Sequence, residues 1–161
     1  MTTEADRADH DFLIKYAGLT EADLSDEALR EGDAELARNR AAAHQQAVAA
    51  SWDVDRVAVF LNLEPASVRR AASEGALYSF ASEVGEAIWF PTWQFTTSGL
   101  LPGLQEIVRA LPRSYHPVTV RDLMTEPDAD EMLGGLSPVQ WLTDGHTLAD
   151  VMVIIDGRSQ E

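Results

Sequence analysis

Val54-Asp55-Arg56-Val57-Ala58-Val59-Phe60-Leu61-Asn62-Leu63-Glu64-Pro65-Ala66-Ser67-Val68-Arg69-Arg70-Ala71-Ala72 is the stretch on which the fold turns. Val54, Val57, Ala58 and Leu61 recur at helical spacing and mark one face of a first helix. Asn62 tolerates the left-handed conformation of a tight turn, and Pro65, with φ already helical, suits the first position of a second helix. Val68 and Ala72 then face inward, and Gly75 can end the second helix. Two short helices about a tight turn predict a helix-turn-helix. Residues 77–80 and 87–90 read as strands around the turn 82–86, which adds a wing-like hairpin.

Upstream, Phe12, Leu13, Tyr16 and Leu19 sit at helix-like intervals, and Ala22, Leu24, Ala28 and Leu29 follow in an acidic segment, so two short helices are expected. Asp33 can cap a longer helix over 34–50, an Ala-rich run without Gly or Pro. Its apolar stripe is thin and suits packing against another helix or subunit. Downstream, Pro102, Pro112, Pro117, Pro127 and Pro138 punctuate helices expected near 102–111, 118–124, 137–142 and 147–155. Ser137 can cap the third, and Asp144-Gly145 can end it before Thr147 starts the last. The fold class expected is mainly α. It divides into an acidic helical extension (1–50), a helix-turn-helix with a short β-hairpin wing (51–95) and a C-terminal helical domain (96–161).

Composition narrows the function. The chain has 161 residues, and 27 Asp and Glu against 12 Lys and Arg leave a formal charge of -15. A 45% hydrophobic content is enough for a packed core. The apolar runs 88–90 and 151–155 fall far short of the roughly 20 residues that a membrane span needs. The acidic start, Met1 to Asp6, lacks the basic and apolar regions of a secretory signal, so a cytoplasmic protein is expected. Without Cys there is no disulfide, thiolate nucleophile or Cys-ligated metal. Acid dominates all three segments, which argues against diffuse nucleic-acid binding and makes a basic protein partner attractive.

Any DNA contact must be focused. The second helix of a helix-turn-helix offers its outward residues to the major groove, and here Ser67, Arg69, Arg70 and Ser73 face outward, with Arg56 on the preceding helix. Glu64, Glu74, Glu83 and Glu86 would repel nearby phosphates. The aromatic run 89–95 reads as strand and core packing more readily than as a base-stacking surface. His10, His44, His116 and His146 lack metal-ligand spacing, and Asp128, Asp130 and Glu131 read as a solvated turn beside Pro127. Gly134-Gly135 has no accompanying lysine for a nucleotide loop, and GxSxG, P-loop and GxGxxG motifs are absent. No catalytic residue, cofactor or metal is expected.

The stretch 78–95 ending Phe90-Pro91-Thr92-Trp93-Gln94-Phe95, then Leu101-Pro102-Gly103-Leu104, and then Asp130-Glu131-Met132-Leu133-Gly134-Gly135-Leu136-Ser137-Pro138-Val139-Gln140-Trp141-Leu142-Thr143-Asp144-Gly145 resembles the Xre/MbcA/ParS class of antitoxins, partners of RES-domain toxins. The resemblance covers about residues 52–155. It implies an N-terminal helix-turn-helix region used for dimerisation and, in many members, operator binding, followed by a C-terminal helical toxin-binding domain. The toxin depletes NAD by hydrolysis or phosphorolysis, and the antitoxin is not an enzyme. The last helix and chain end would lie at the mouth of the toxin's NAD pocket, which assigns toxin contacts to Trp141, Val151, Ile154, Ile155 and Arg158.

The expectation is therefore a homodimeric antitoxin that blocks a RES-type toxin sterically and represses its own operon through operator DNA. The alternative is a stand-alone DNA-binding transcriptional regulator whose C-terminal domain dimerises or senses a ligand.

Overall fold

The structure, a computed structural model, describes residues 26–160 with Val84 excepted. The chain divides into two compact units, Met1–Ala42 and Ala43–Glu161. Helix α1 (Asp26–Ala49) is continuous and begins before Asp33, which therefore lies inside the helix and caps nothing. Gly32 does not break it, because a single glycine costs only about 1 kcal/mol in a run otherwise rich in Ala, Glu and Arg. Leu29 and Leu36 are exposed along this helix. Of the two short helices expected upstream, the first and the start of the second lie outside the described residues, and Ala28 and Leu29 belong to α1.

Within the second unit, β1 (Ser51–Trp52) leads into α2 (Val54–Leu61) and α3 (Pro65–Ser73). Asp53 caps α2 by accepting the Arg56 N–H at 2.8 Å. Asn62, at φ 54° and ψ 49°, takes the left-handed conformation, and the amides of Asn62 and Leu63 return to the carbonyls of Val59 and Ala58. This is a Schellman closure, and Gly75 (φ 75°) closes α3 in the same way through Ala72 and Ala71. Val54, Val57, Ala58 and Val68 are buried where the two helices meet the core.

Strands β2 (Phe80–Ala81) and β3 (Ile88–Pro91) pair antiparallel, Phe80 opposite Trp89 and Ala81 opposite Ile88. β1 pairs with the other edge of β3, Ser51 opposite Pro91 and Trp52 opposite Phe90, giving the order β1-β3-β2. A two-residue strand after a helix leaves no alternation to read, and β1 was not expected. Thr92–Gln94 form a 3-10 turn, followed by the small hairpin β4 (Phe95–Thr96) and β5 (Gly99–Leu100).

Four helices complete the unit: α4 (Leu104–Ala110), α5 (Pro117–Thr125), α6 (Pro138–Thr143) and α7 (Leu148–Arg158). Ser137 and Gln140 form a reciprocal capping box on α6, and Gly145 (φ 87°) ends it with a third Schellman closure through Leu142 and Trp141. Thr147 accepts the Ala149 N–H and starts α7. The protein is mainly helical with a small antiparallel sheet. Residues 51–95 and 96–161 contribute to one core, in which Val57, Val68 and Phe90 share a cluster with Ile107, Met124, Leu133 and Val151. Each such side chain contributes about 1.5–3 kcal/mol on burial, which holds the helix pair and the C-terminal helices together.

Candidate functional site

The three segments that carry the resemblance have definite structural roles. In the first, Phe90 and Trp93 are buried, and Gln94 is wholly buried beside them. The Gln94 Nε2 donates to the Tyr78 carbonyl (2.8 Å) and the Pro91 carbonyl (3.0 Å), while its Oε1 accepts the Tyr78 N–H at 2.9 Å. The side-chain amide thus takes the place of a strand neighbour for Tyr78, which is why the strand expected over 77–80 begins only at Phe80. In the second, Gly103 sits at φ 74° just before α4, and a Cβ there would meet Leu148 Cδ2 at 2.7 Å, so α4 and α7 approach closely at this glycine. In the third, Leu133 and Leu142 are buried, and Trp141 Nε1 donates to the Thr147 carbonyl (3.0 Å) while its ring stacks on His146 at 4.0 Å. Trp141 therefore clamps the α6–α7 connection.

The last helix corrects the sequence reading. Val151, Ile154 and Ile155 are 0%, 6% and 1% exposed, so they are not a free contact face but the part of α7 packed into the core. The run 151–155 is apolar at every position, so spacing alone could not say which side faces inward. Val153, 54% exposed, is the apolar residue that faces out. Arg158 is exposed at the helix end, where its carbonyl accepts the Tyr115 hydroxyl at 2.6 Å and its Nη2 lies 4.0 Å from Asp128 Oδ1.

Beside this end lies a cleft of about 310 Å³ between α5 and α7, bordered by Tyr115, Asp122, Glu126, Asp128, Ile154 and Arg158. Asp128 is a second correction. It is buried, not solvated, because Oδ2 accepts the Met132 N–H (3.2 Å) and so closes the turn; Asp130 and Glu131 remain exposed. Arg121 pairs with Asp122 at 2.7 Å, so Glu126 is the unpaired carboxylate of the rim among the described residues. From sequence, Asp128 reads as part of a solvated turn and Gln94 has no role of its own; the trace of Gln94 is a polar residue between Trp93 and Phe95.

The DNA candidates do not form one positive patch. Arg69, Arg70 and Ser73 are exposed and Ser67 is half-buried. Arg69 borders a shallow depression with Asp53, Asp55 and Glu86, three carboxylates that oppose a phosphate. Arg56 lies with its guanidinium 4.8 Å from the Trp52 ring centre, and Ser73 Oγ donates to the Arg70 carbonyl at 2.8 Å. Trp52 stacks on Phe95 at 4.8 Å and Phe60 closes the group, so these rings pack on one another. Among the described residues no group of three His, Asp or Glu has metal-binding geometry, and no helix is long and apolar enough to cross a membrane. No family model matches the chain, and no curated protein or solved structure matches it.

Proposed function

We propose that the chain is a cytoplasmic, non-enzymatic antitoxin that dimerises and neutralises a RES-type NAD-depleting toxin. The observation that carries this reading is the outer side of α7. Arg158 borders the cleft together with Asp122, Glu126 and Asp128, Val153 is exposed on the same helix, and an acidic rim suits a toxin pocket built to bind phosphate groups. In this reading Val151, Ile154 and Ile155 hold the helix in position from the core, and the contact is made by Val153, Glu126 and Arg158. The three segments of the resemblance support it indirectly, since each maintains the framework on which α7 rests.

The test is affinity purification of the protein from its native lysate, followed by an NAD-consumption assay on the released partner. A small stoichiometric partner that destroys NAD, and stops when the parent protein but not Glu126→Arg/Val153→Asp is returned, is the expected result. A partner without NAD-consuming activity would sink the antitoxin reading. Equal inhibition by the double variant would move the contact elsewhere.

A second reading has its own observation. α2 and α3 are short helices joined through the left-handed Asn62, a pair we read as a helix-turn-helix with the β2–β3 hairpin as its wing, and Arg70 is exposed on the second helix. Operator binding, as autorepression or in a stand-alone regulator, would then depend on Arg70 more than on Arg69, whose surroundings are acidic. Footprinting of the upstream DNA with Arg70→Ala and Arg69→Ala checks this; no protection by the parent protein removes the DNA role altogether.

A further inference from the structure

A second groove, of about 610 Å³, runs between the end of α3 and the end of α4, and its charge is opposite to that of the rest of the molecule. Arg109 and Arg113 border it, and Glu74 is the one carboxylate among its lining residues. Neither arginine has an ion pair or a side-chain hydrogen bond among the described residues. In a chain of net charge -15, two unpaired guanidiniums on one cleft are unusual. Arg109 lies in the last turn of α4, where the helix carbonyls favour a cation without any carboxylate partner. Gly75 carries no Cβ, and the Arg109 Cγ lies 4.0 Å from where one would stand, so the stem of Arg109 passes beside the end of α3.

The rest of the wall is aromatic and hydroxylic. Tyr78, Phe80, Ser73 and Ser79 are among its lining residues, and the Ser73 hydroxyl donates to the Arg70 carbonyl. The size lies within the range of roughly 300–1,000 Å³ typical of small-molecule sites. We propose that this groove binds an organic phosphate of nucleotide size, with the phosphoryl oxygens on Arg109 and Arg113 and the flat ring against Tyr78 and Phe80. Each planar guanidinium fork can hold two phosphoryl oxygens, and two such cations suit the several oxygens and multiple charge of a phosphate.

Calorimetric titration of the full-length protein with ADP, adenosine and inorganic phosphate tests the assignment, with the melting temperature of every variant recorded alongside. ADP is expected to bind in preference to both fragments, because each fragment lacks half of the contact. Arg109→Ala/Arg113→Ala should weaken ADP by at least ~30-fold, as expected for two charge-assisted contacts. Arg113→Ala alone, which lies beyond the helix, should weaken it by about 5-fold or more while leaving the melting temperature unchanged. Glu74→Gln should tighten it about 2–3-fold by removing the like charge. No binding of ADP at millimolar concentration overturns the proposal, as does equal binding by the parent and the double variant. If Arg109→Ala lowers only the melting temperature, the arginine serves the helix end and the assignment falls. Inorganic phosphate binding as tightly as ADP would likewise remove the organic ligand.

Discussion

The α2–α3 pair and the final helix α7 are both short helical segments bearing residues assigned to partners from sequence, yet they differ in which side those residues occupy. On α3, Arg69, Arg70 and Ser73 are exposed as their spacing implies, because Val68 is the single fully buried anchor between polar neighbours. On α7, Val151, Ile154 and Ile155 are buried and Val153 stands out. A helix with polar punctuation declares its faces. One with five consecutive apolar residues does not, and its orientation is decided by what packs on it.

The same charge placed on either side of α7 separates its two faces. Ile154→Asp should abolish cooperative unfolding or cost above ~4 kcal/mol, because a carboxylate is forced onto the buried side of the helix among apolar neighbours. Val153→Asp should stay within about 0.5 kcal/mol of the parent in urea melts, as surface substitutions do. Equal destabilisation by the two would refute the face assignment. An Ile154→Asp variant that unfolds at the urea midpoint of the parent would do the same.

The aromatic segment offers the next largest effect. Gln94→Leu should cost about 3 kcal/mol, since it strands the Tyr78 N–H and two carbonyls, and Gln94→Glu should recover only part of this because a carboxylate cannot donate to those carbonyls. A loss under about 1 kcal/mol in denaturant titration would show that water replaces the amide.

Gly103→Ala probes how α7 is seated against α4. The left-handed φ of 74° and the contact with Leu148 together predict a loss of about 1–2 kcal/mol, limited because a leucine side chain can yield. Thermal melts that match the parent would mean that α4 and α7 do not need this close approach.

The smallest expected effect is alkaline. With its pKa raised from 10.0 to about 12 by burial, Tyr78 stays protonated in the folded state after it ionises in the unfolded one. Its contribution is therefore fully present below pH 10 and is lost as pH rises towards 12. Tyr78→Phe should lose less stability than the parent between pH 9 and pH 11, measured as the shift in urea midpoint. Parallel curves would mean that the phenol is not held away from water.

How much was legible follows from the range of each interaction. The helix ends at Asn62, Gly75 and Gly145 and the cap at Ser137 were readable, because a left-handed residue or a capping hydroxyl acts within a few residues of its partner. The burial of Phe90 and Trp93 followed from apolar character alone. The mainly helical class, the pair of short helices with its turn, and the strongly acidic balance are all written in local composition and spacing. The tertiary structure decided which side of α7 is covered, that Gln94 takes a strand's place against Tyr78 sixteen residues away, that Asp128 is buried beneath Arg158, and that Arg109 and Arg113 share a groove with the end of α3. Each of those depends on contacts between segments far apart in the chain, whose pairing is selected by the packing of the whole core and leaves no local spacing to read.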